Sequence, residues 1–192
     1  GFSTDFVTTI NVCPSECAYS KVEDAFTAAI NAAHKIFGHG YIRLMIADGT
    51  YTETNQLYTN DPAGAAVQVI GNTIDNSKVV LNFINVRGTN YNGFSASDGG
   101  IIGLIDGVTI NAVGAQSSHT ANSTSWYPQS YGSGIQAANG SVIRLGKHIN
   151  INHFYYSVTA DDGGVIDARQ GGVTGTDAGH VHFMARSEGR RF

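Results

Sequence analysis

The 192-residue chain is poor in charged residues and in proline, and these shortages exclude several classes of protein. Charged residues make up 14% of the chain and prolines number three, whereas disordered chains are typically rich in both. The 24 glycines follow no three-residue period, which excludes a collagen-like helix. The composition indicates a β-rich chain that turns often and is long enough for one domain with a sizeable core.

The chain also lacks a basic excess and long apolar runs, which limits its partners. Its net charge is −4, so a nucleic-acid partner has no electrostatic support. No apolar run approaches the roughly 20 residues of a membrane-spanning helix. The first residues, GFSTDFVTTINV, lack the basic and apolar regions of a signal peptide. We therefore expect neither nucleic-acid binding nor membrane insertion.

Cysteine is scarce as well, with only Cys13 and Cys17 in the segment CPSEC. A close pair of this kind forms a small disulfide, contributes to a metal site with ligands from elsewhere, or stays reduced. The sequence leaves these alternatives open. No second pair is present to complete a zinc site, and we expect no metal and no cofactor.

One amphipathic helix is predicted from about Ser20 to Phe37. Ser20 and Glu23 have the spacing of a capping box, in which two side chains satisfy amide donors at the helix start. Apolar residues then recur at three- and four-residue spacing on one face, and Gly38 ends the pattern. That face consists of Val22, Phe26, Ala29, Ile30, Ala33 and Phe37. Because the helix precedes a β-rich region, we place its apolar face over the open end of that region's core.

Beyond Gly40 the pattern changes to short β-rich runs. The clearest runs are 41–46 (YIRLMI), 67–70 (VQVI) and 78–83 (KVVLNF). Turn clusters rich in Gly, Asn and Asp separate them, as expected between strands. No later segment has comparable helical periodicity.

An internal repeat carries the fold prediction. Residues 93–111 align with residues 134–152 without a gap, and two weaker copies follow. The aligned positions are Ala96, Ala137, Ala160 and Ala185. The period is therefore in the low twenties, and the first interval is enlarged by an insertion of roughly 18 residues, as repeat proteins tolerate in loops.

A period of this length is typical of one coil of a solenoid, in which each coil buries its apolar side only against its neighbours. The short repeats of left-handed β-helices and of calcium-binding β-rolls are absent, and a β-sandwich gives no reason for a repeated register. The sequence predicts an all-β fold, a right-handed parallel β-helix with one N-terminal capping helix. Residues 1–40 are the expected N-terminal segment and residues 41–192 the β-helix, with a loop insertion at about 115–133.

The chain resembles the pectin-lyase-like superfamily of right-handed β-helices. The likeness comprises the helix AFTAAINAAHK, then IADGTYTE at 46–53, VQVIGN at 67–72 and the Ala-x-Asp/Asn-Gly coils. This order is most similar to bacteriophage tail-spike, tail-fibre and related virion proteins. The resemblance implies a homotrimer on the surface of a virion that binds or cuts bacterial surface polysaccharide. The catalytic motifs of the wider superfamily are not matched, because Gly-His-Gly at 38–40 precedes Asp161-Asp162 and no Asn-Thr-Asp is present.

Carboxylates at matching positions of successive coils are the first candidates for chemistry. Glycoside cleavage needs two carboxyl groups about 5–9.5 Å apart, and stacked coils separate equivalent residues by about 4.8 Å. We expect Asp98, Asn139 and Asp162 in one such row, with Asp161 beside it and Asp167 further along the same coil. The alternative is a purely structural one, because Asp and Asn before Gly are common in tight turns.

Aromatic residues form the second group of candidates. Trp126, Tyr127 and Tyr131 lie in the insertion among Ser, Thr, Asn and Gln, and Tyr155 and Tyr156 follow at a later turn. Aromatic rings stack on the apolar faces of sugars, and neutral polar groups bond the hydroxyls. The alternative is that Trp126 packs against the flank of the solenoid or against a neighbouring subunit.

Histidines are the weakest group of candidates. His148 and His153 flank one predicted strand, and His180 and His182 alternate on another. A His-x-His pair supplies two metal ligands, but a site needs more. We expect these histidines at the surface or at the edge of the core.

Three functions are compatible with these observations. The first is a virion structural and host-recognition module that binds bacterial surface polysaccharide, as a homotrimer in contact with other virion proteins. The second is a polysaccharide depolymerase, a hydrolase or lyase that uses the turn carboxylates. The third is a purely architectural virion protein. We favour the first, so catalysis is not the expected role.

Overall fold

The computed structural model describes residues 7–36, 39–84, 92–113, 130–175, 181–186 and 190–191. In this part of the chain a single α-helix, α1 (Val22–Ile36), accompanies 17 strands. The strands are β1 (Val7–Val12), β2 (Tyr41–Ile46), β3 (Gly49–Glu53), β4 (Leu57–Thr59), β5 (Val67–Ile70), β6 (Val79–Phe83), β7 (Phe94–Ala96), β8 (Ile101–Asp106), β9 (Val108–Ala112), β10 (Ser130–Ala138), β11 (Val142–Leu145), β12 (His148–Asn152), β13 (Phe154–Asp161), β14 (Val165–Asp167), β15 (Gly172–Thr174), β16 (Val181–Arg186) and β17 (Arg190–Arg191). No helix in the described ranges is long and apolar enough to cross a membrane.

The strands form three sheets in which the described pairings between strands are parallel. The first sheet has the order β1-β2-β5-β8-β11-β14-β17. The second has the order β3-β6-β9-β12-β15, and the third β4-β7-β10-β13-β16. From β2 onward the chain visits the sheets in the same cyclic order, one strand in each. This cycle is a parallel β-helix, and the predicted fold class is confirmed.

The repeat register is confirmed at its central position. Ala96 pairs with Ala137, Ala137 with Ala160, and Ala160 with Ala185 on four neighbouring strands of the third sheet. Each β-strand spacing is about 4.8 Å, so the alignment describes coils that lie one above another. The insertion predicted at about 115–133 overlaps β10, whose first residue is Ser130.

The gapless alignment is wrong at one place within the coils. It matched Leu104 with Leu145, whereas Leu145 pairs with Ile105 across β8 and β11. The register shifts after Ile143, because β8 contains one more residue than β11 at this point. Such a β-bulge bends its strand and redirects the neighbouring side chains.

The core runs through the middle of the coils. Inward-facing aliphatic residues of all three sheets are buried, among them Leu44, Leu81 and Ile143. Phe83 and Phe154 join two levels of the stack in an edge-to-face contact, with ring centroids 6.4 Å apart. On the outer face of the second sheet, the side-chain amide of Asn152 donates a hydrogen bond to Asn111 at 2.8 Å, and that of Asn111 donates one to Asn82 at 3.2 Å. This amide ladder satisfies polar groups along three neighbouring strands.

Helix α1 covers the N-terminal end of the stack, as predicted. Its buried face contains Val22, Ala25, Phe26, Ala29, Ile30 and Ala33. Phe26 meets Phe94 edge to face, with ring centroids 6.1 Å apart. Phe37, the last residue predicted for this face, lies outside the described residues.

The capping-box prediction is wrong. The helix begins at Val22, and Glu53 of β3 accepts the amide hydrogens of Val22 and Glu23. The side chain of Glu23 accepts hydrogen bonds from Thr54 and Asn55, so it does not bond the backbone of Ser20 as a capping box requires. A carboxylate from a neighbouring coil therefore provides the cap that the sequence pattern assigned to a local residue.

The N-terminal residues also form a strand that the sequence analysis did not identify. β1 pairs with β2 over six residues at the edge of the first sheet. After it, Cys13 and Cys17 form a disulfide with 5.6 Å between their Cα atoms. Of the alternatives for these cysteines, the structure shows the small disulfide.

Candidate functional site: a groove on the first sheet

The first sheet carries an open groove of about 410 Å³ on its outer face. Its lining comes from four successive coils, through β5, β8, β11, β14 and the turn after β14. The polar lining residues are Gln68, Arg144, Asp167, Arg169 and Gln170, and Leu104 supplies apolar surface. Since side chains alternate between the two faces of a strand, the outward Arg144 lies between two inward residues, Ile143 and Leu145.

The β-bulge at 103–104 shapes the middle of this groove. Gly103 lines the groove, and a Cβ atom there would lie 2.8 Å from the carbonyl oxygen of Val67 and closer still to that of Ala65. The backbone of β8 therefore comes close to the neighbouring coil at this position. In the lining of the groove, the bulge residues Gly103 and Leu104 lie on β8, between the strands that carry Gln68 and Arg144.

Asp167 and Arg169 form a fork-to-fork ion pair at one end of the groove. Arg169 donates from Nε to Oδ1 at 2.9 Å and from Nη2 to Oδ2 at 2.7 Å. This bidentate geometry is the strong form of an arginine–carboxylate contact. The hydrogen bond from the Arg169 side chain lowers the pKa of Asp167, with a smaller contribution from the charge of Arg144. Asp167 is therefore ionised at neutral pH and is poorly suited to act as a general acid.

Arg144 is the unpaired charge of the groove. In the strand register Arg144 lies opposite Asp167, on β11 and β14. Among the described residues, however, the Arg144 side chain has no hydrogen bond and no ion pair. Further along the same face, Arg43 donates to Gln68 at 3.2 Å. The groove therefore presents more positive than negative charge, although the whole chain has a net charge of −4.

The row of turn residues expected from the repeat is present at the corner between the third and first sheets. Asp98, Asn139 and Asp162 have φ angles of 50°, 50° and 46°. Each begins a two-residue turn completed by glycine, and backbone bonds link the turns, as from Gly140 N to the carbonyl oxygen of Asp162 at 3.2 Å. Asp98 and Asp162 are thus two coils apart, about 9–10 Å at the spacing of parallel strands. All three residues adopt the left-handed conformation that such turns demand.

Asp161 and Asp167 lie outside this row. Asp161 is 7% exposed on the outer face of the third sheet. It accepts a hydrogen bond from Gln136 at 2.9 Å, and Gln136 accepts one from Asn92 at 2.7 Å. Asp167 lies five residues beyond Asp162, past the turn and at the end of β14. Of the four predicted carboxylates, Asp161 and Asp162 are adjacent in the chain, and Asp167 lines the groove.

The predicted aromatic site falls largely outside the described structure. Trp126 and Tyr127 lie outside the described residues, as do the side chains of Tyr131 and Tyr155. Tyr156 lies on β13 of the third sheet, paired with Ser133 of β10, and is half-buried. The aromatic glycan site therefore stays a prediction.

The histidines do not assemble into a metal site within the described ranges. No group of three His, Cys, Asp or Glu side chains there has the proximity to hold a metal ion. His148 lies with its Nδ1 atom 3.6 Å from Oδ1 of Asp106, and His153 occupies a turn with a φ of 70°. His180 and the side chain of His182 lie outside the described residues.

Sequence reasoning missed the arginines and glutamines of the groove. The available signal was the period-two alternation of the runs VQVI and VIRL, which marks Gln68 and Arg144 as outward residues. That these two residues lie near each other depends on coil stacking and on the bulge at Gly103, which the gapless alignment did not contain.

Comparisons of this chain with protein-family models, with curated proteins and with solved structures find no match.

Proposed function

We propose that this protein is a polysaccharide-binding β-helix, a host-recognition module of a bacteriophage virion, and that the groove on the first sheet is its binding surface. The observation that carries the proposal is the open groove of about 410 Å³ lined by Gln68, Arg144, Asp167, Arg169 and Gln170. The virion setting comes from the sequence resemblance to tail-spike and tail-fibre proteins.

The chemistry of the lining suits a sugar chain. Amide, carboxylate and guanidinium groups offer donors and acceptors at fixed positions, and these fix the orientation of a polar ligand. The strands from β5 to β14 span roughly 14 Å across the coils at parallel spacing. This length favours an extended oligosaccharide over a small ion or metabolite.

Two further features support a surface role for the protein. The disulfide between Cys13 and Cys17 fits an oxidising environment outside the cytosol. Among the described strands, β1 lies at the edge of the first sheet, and strand edges favour association with other chains. A homotrimer is part of the proposal, and sedimentation velocity should give three times the monomer mass of 20.3 kDa.

A glycan array of bacterial capsules and lipopolysaccharides tests the binding function. We expect a signal from the parent protein and a loss of that signal in the double variant Arg144→Ala/Arg169→Ala. The matched control is Lys78→Ala, which removes an exposed cation next to the second sheet and should bind as the parent does. A folded parent protein that binds no glycan would favour a purely architectural role.

The second candidate function is a polysaccharide depolymerase. It is favoured by Asp98 and Asp162, which stand at the same turn position two coils apart, near the carboxylate spacing of inverting glycosidases. Release of reducing ends or of unsaturated sugars from a bound polymer, and its loss in Asp98→Asn or Asp162→Asn, would establish this activity. Binding without product release is the outcome we expect.

A further inference from the structure

We infer that the groove on the first sheet selects acidic polysaccharides, whose sugar residues carry carboxylate groups, and that Arg144 and Arg169 bind these groups. This inference rests on the proposed polysaccharide-binding function and specifies its ligand class. The juxtaposition that supports it is an unpaired guanidinium and a second guanidinium, paired with Asp167, in one groove with amide groups around them.

Arg144 is available to an external anion. Its side chain is exposed, and among the described residues it makes no hydrogen bond or ion pair. A guanidinium presents five N–H donors in a planar fork that matches the two oxygens of a carboxylate. Position 144 is opposite the bulge in β8, and it lines the groove together with Gly103 and Leu104.

Arg169 is oriented by an ion pair within the groove. Two of its side-chain donors contact Asp167, and its backbone amide also donates to Oδ1 of Asp167 at 3.3 Å. Three donors of the guanidinium remain for a ligand. The negative charge of Asp167 is compensated by this pair, so an approaching anion meets Arg144 without equal repulsion.

The charge distribution agrees with this assignment. The protein is acidic overall, with a net charge of −4, yet Arg43 on β2, Arg144 on β11 and Arg169 in the turn after β14 outnumber the carboxylate of Asp167 on this side of the first sheet. Gln68 and Gln170 add neutral donors and acceptors beside the arginines, which suits the hydroxyl groups of the same sugar residues. A neutral glycan would leave the unpaired guanidinium without a partner.

Matched polymers test the ligand class directly. Hyaluronan and alginate, each before and after chemical reduction of its carboxylates to alcohols, are titrated onto the full chain at low and high sodium chloride. We expect a native polymer to bind roughly tenfold more tightly than its reduced form, with affinity falling as salt screens the charges. Arg144→Ala should weaken binding of the native polymer about fivefold and leave the reduced form unaffected, whereas Lys78→Ala should change neither.

The outcomes separate the inference from the proposed function. Equal, salt-independent binding of native and reduced polymers would overturn the acidic selectivity and leave polysaccharide binding in place. If neither form of either polymer binds, while the array gives a signal with neutral glycans alone, the inference is likewise overturned. Absence of binding on the array and in the titrations, with circular dichroism showing a folded chain, would overturn both.

Discussion

Glu23 and Glu53 each cap the segment that carries the other. The carboxylate of Glu53, in β3, accepts the amides of Val22 and Glu23 at 2.7 and 3.0 Å, at the first turn of α1. The carboxylate of Glu23 accepts the amides of Thr54 and Asn55 at 2.9 and 2.8 Å, just after β3. This reciprocal contact fixes the helix to the first full coil, and it satisfies donors that both segments would otherwise leave unpaired.

The two carboxyl groups differ in their protonation. Burial raises the pKa of Glu53 to about 7, with a further contribution from the negative charge of Glu23, and outweighs the two amide bonds that favour the ionised form. Burial also opposes ionisation of Glu23, but the hydrogen bonds from Asn55 and Thr54 together lower its pKa. Below about pH 7 the pair therefore carries a neutral Glu53 beside an ionised Glu23, as paired carboxyl groups commonly do.

The first prediction concerns the pH dependence of stability. Because the pKa of Glu53 is raised in the folded protein, the folded state binds the proton more tightly than the unfolded state does. The resulting stabilisation is complete below the unfolded-state pKa near 4.5, and it is lost as the pH rises through the folded-state pKa of about 7. By proton linkage the free energy of unfolding should fall by up to about 3 kcal/mol between pH 5 and pH 8. Urea denaturation at several pH values measures this change.

A glutamine at position 53 mimics the neutral acid. Glu53→Gln should keep stability at pH 5 and remove most of the pH dependence, whereas Glu16→Gln, on the exposed disulfide loop, should behave as the parent. A loss of stability at both pH values in Glu53→Gln would mean that Glu53 caps the helix as an anion.

The second prediction concerns the attachment of α1 to the core. Phe26 is 1% exposed and packs edge to face on Phe94. Phe26→Ala leaves a cavity and should lower the free energy of unfolding by about 3–5 kcal/mol, with faster amide exchange in α1. Ile74→Ala is the matched control, because Ile74 is 95% exposed and its truncation should change stability by less than about 0.5 kcal/mol.

The sequence predicted the stack better than its surfaces, for a physical reason. Burial against neighbouring coils repeats with the chain, so Ala96, Ala137 and Ala160 could be aligned from composition and spacing alone. The cap of α1 and the lining of the groove depend on residues in different coils, such as Glu53 with Val22 and Arg144 with Gln68. No local pattern records which residues of different coils come together, and this follows only when the register of each coil is known.

The third prediction tests the bulge that shapes the groove. In Gly103→Ala the added methyl group would clash with the carbonyl oxygens of Ala65 and Val67, neither of which is a flexible side chain. Strain of this kind costs about 1–3 kcal/mol, and we expect weaker glycan binding as the backbone shifts. Gly172→Ala meets no atom within 4 Å and should leave both properties unchanged; equal behaviour of the two variants in denaturation and binding assays would contradict the role given to Gly103.

The fourth prediction concerns the disulfide. Cys13 and Cys17 close a short loop, with a sequence separation of four, between β1 and α1. Loop-closure entropy for a ring of this size gives a stabilisation of about 2 kcal/mol. The double variant Cys13→Ser/Cys17→Ser should lose that amount in urea denaturation and be insensitive to reductant, whereas the parent should lose stability when reductant is added. Alkylation of both thiols under native conditions shows that the reductant has opened the bond. If the parent then keeps its stability, the bond does not stabilise the fold.

The last prediction separates the structural and catalytic interpretations of the turn row. Asp162 has a φ of 46°, a conformation that glycine adopts freely and β-branched residues adopt at a cost of about 1–2 kcal/mol. Asp162→Gly should therefore stay within about 0.5 kcal/mol of the parent in the free energy of unfolding, whereas Asp162→Val should be destabilised by the full cost. Both variants lack the carboxylate, so Asp162→Gly reports on chemistry in a folded chain. If Asp162 only forms the turn, Asp162→Gly binds polysaccharide as the parent does, and neither protein releases product. If the parent cleaves its polymer while Asp162→Gly binds the polymer without cleaving it, the turn row is catalytic, and the binding-module proposal gives way to the depolymerase.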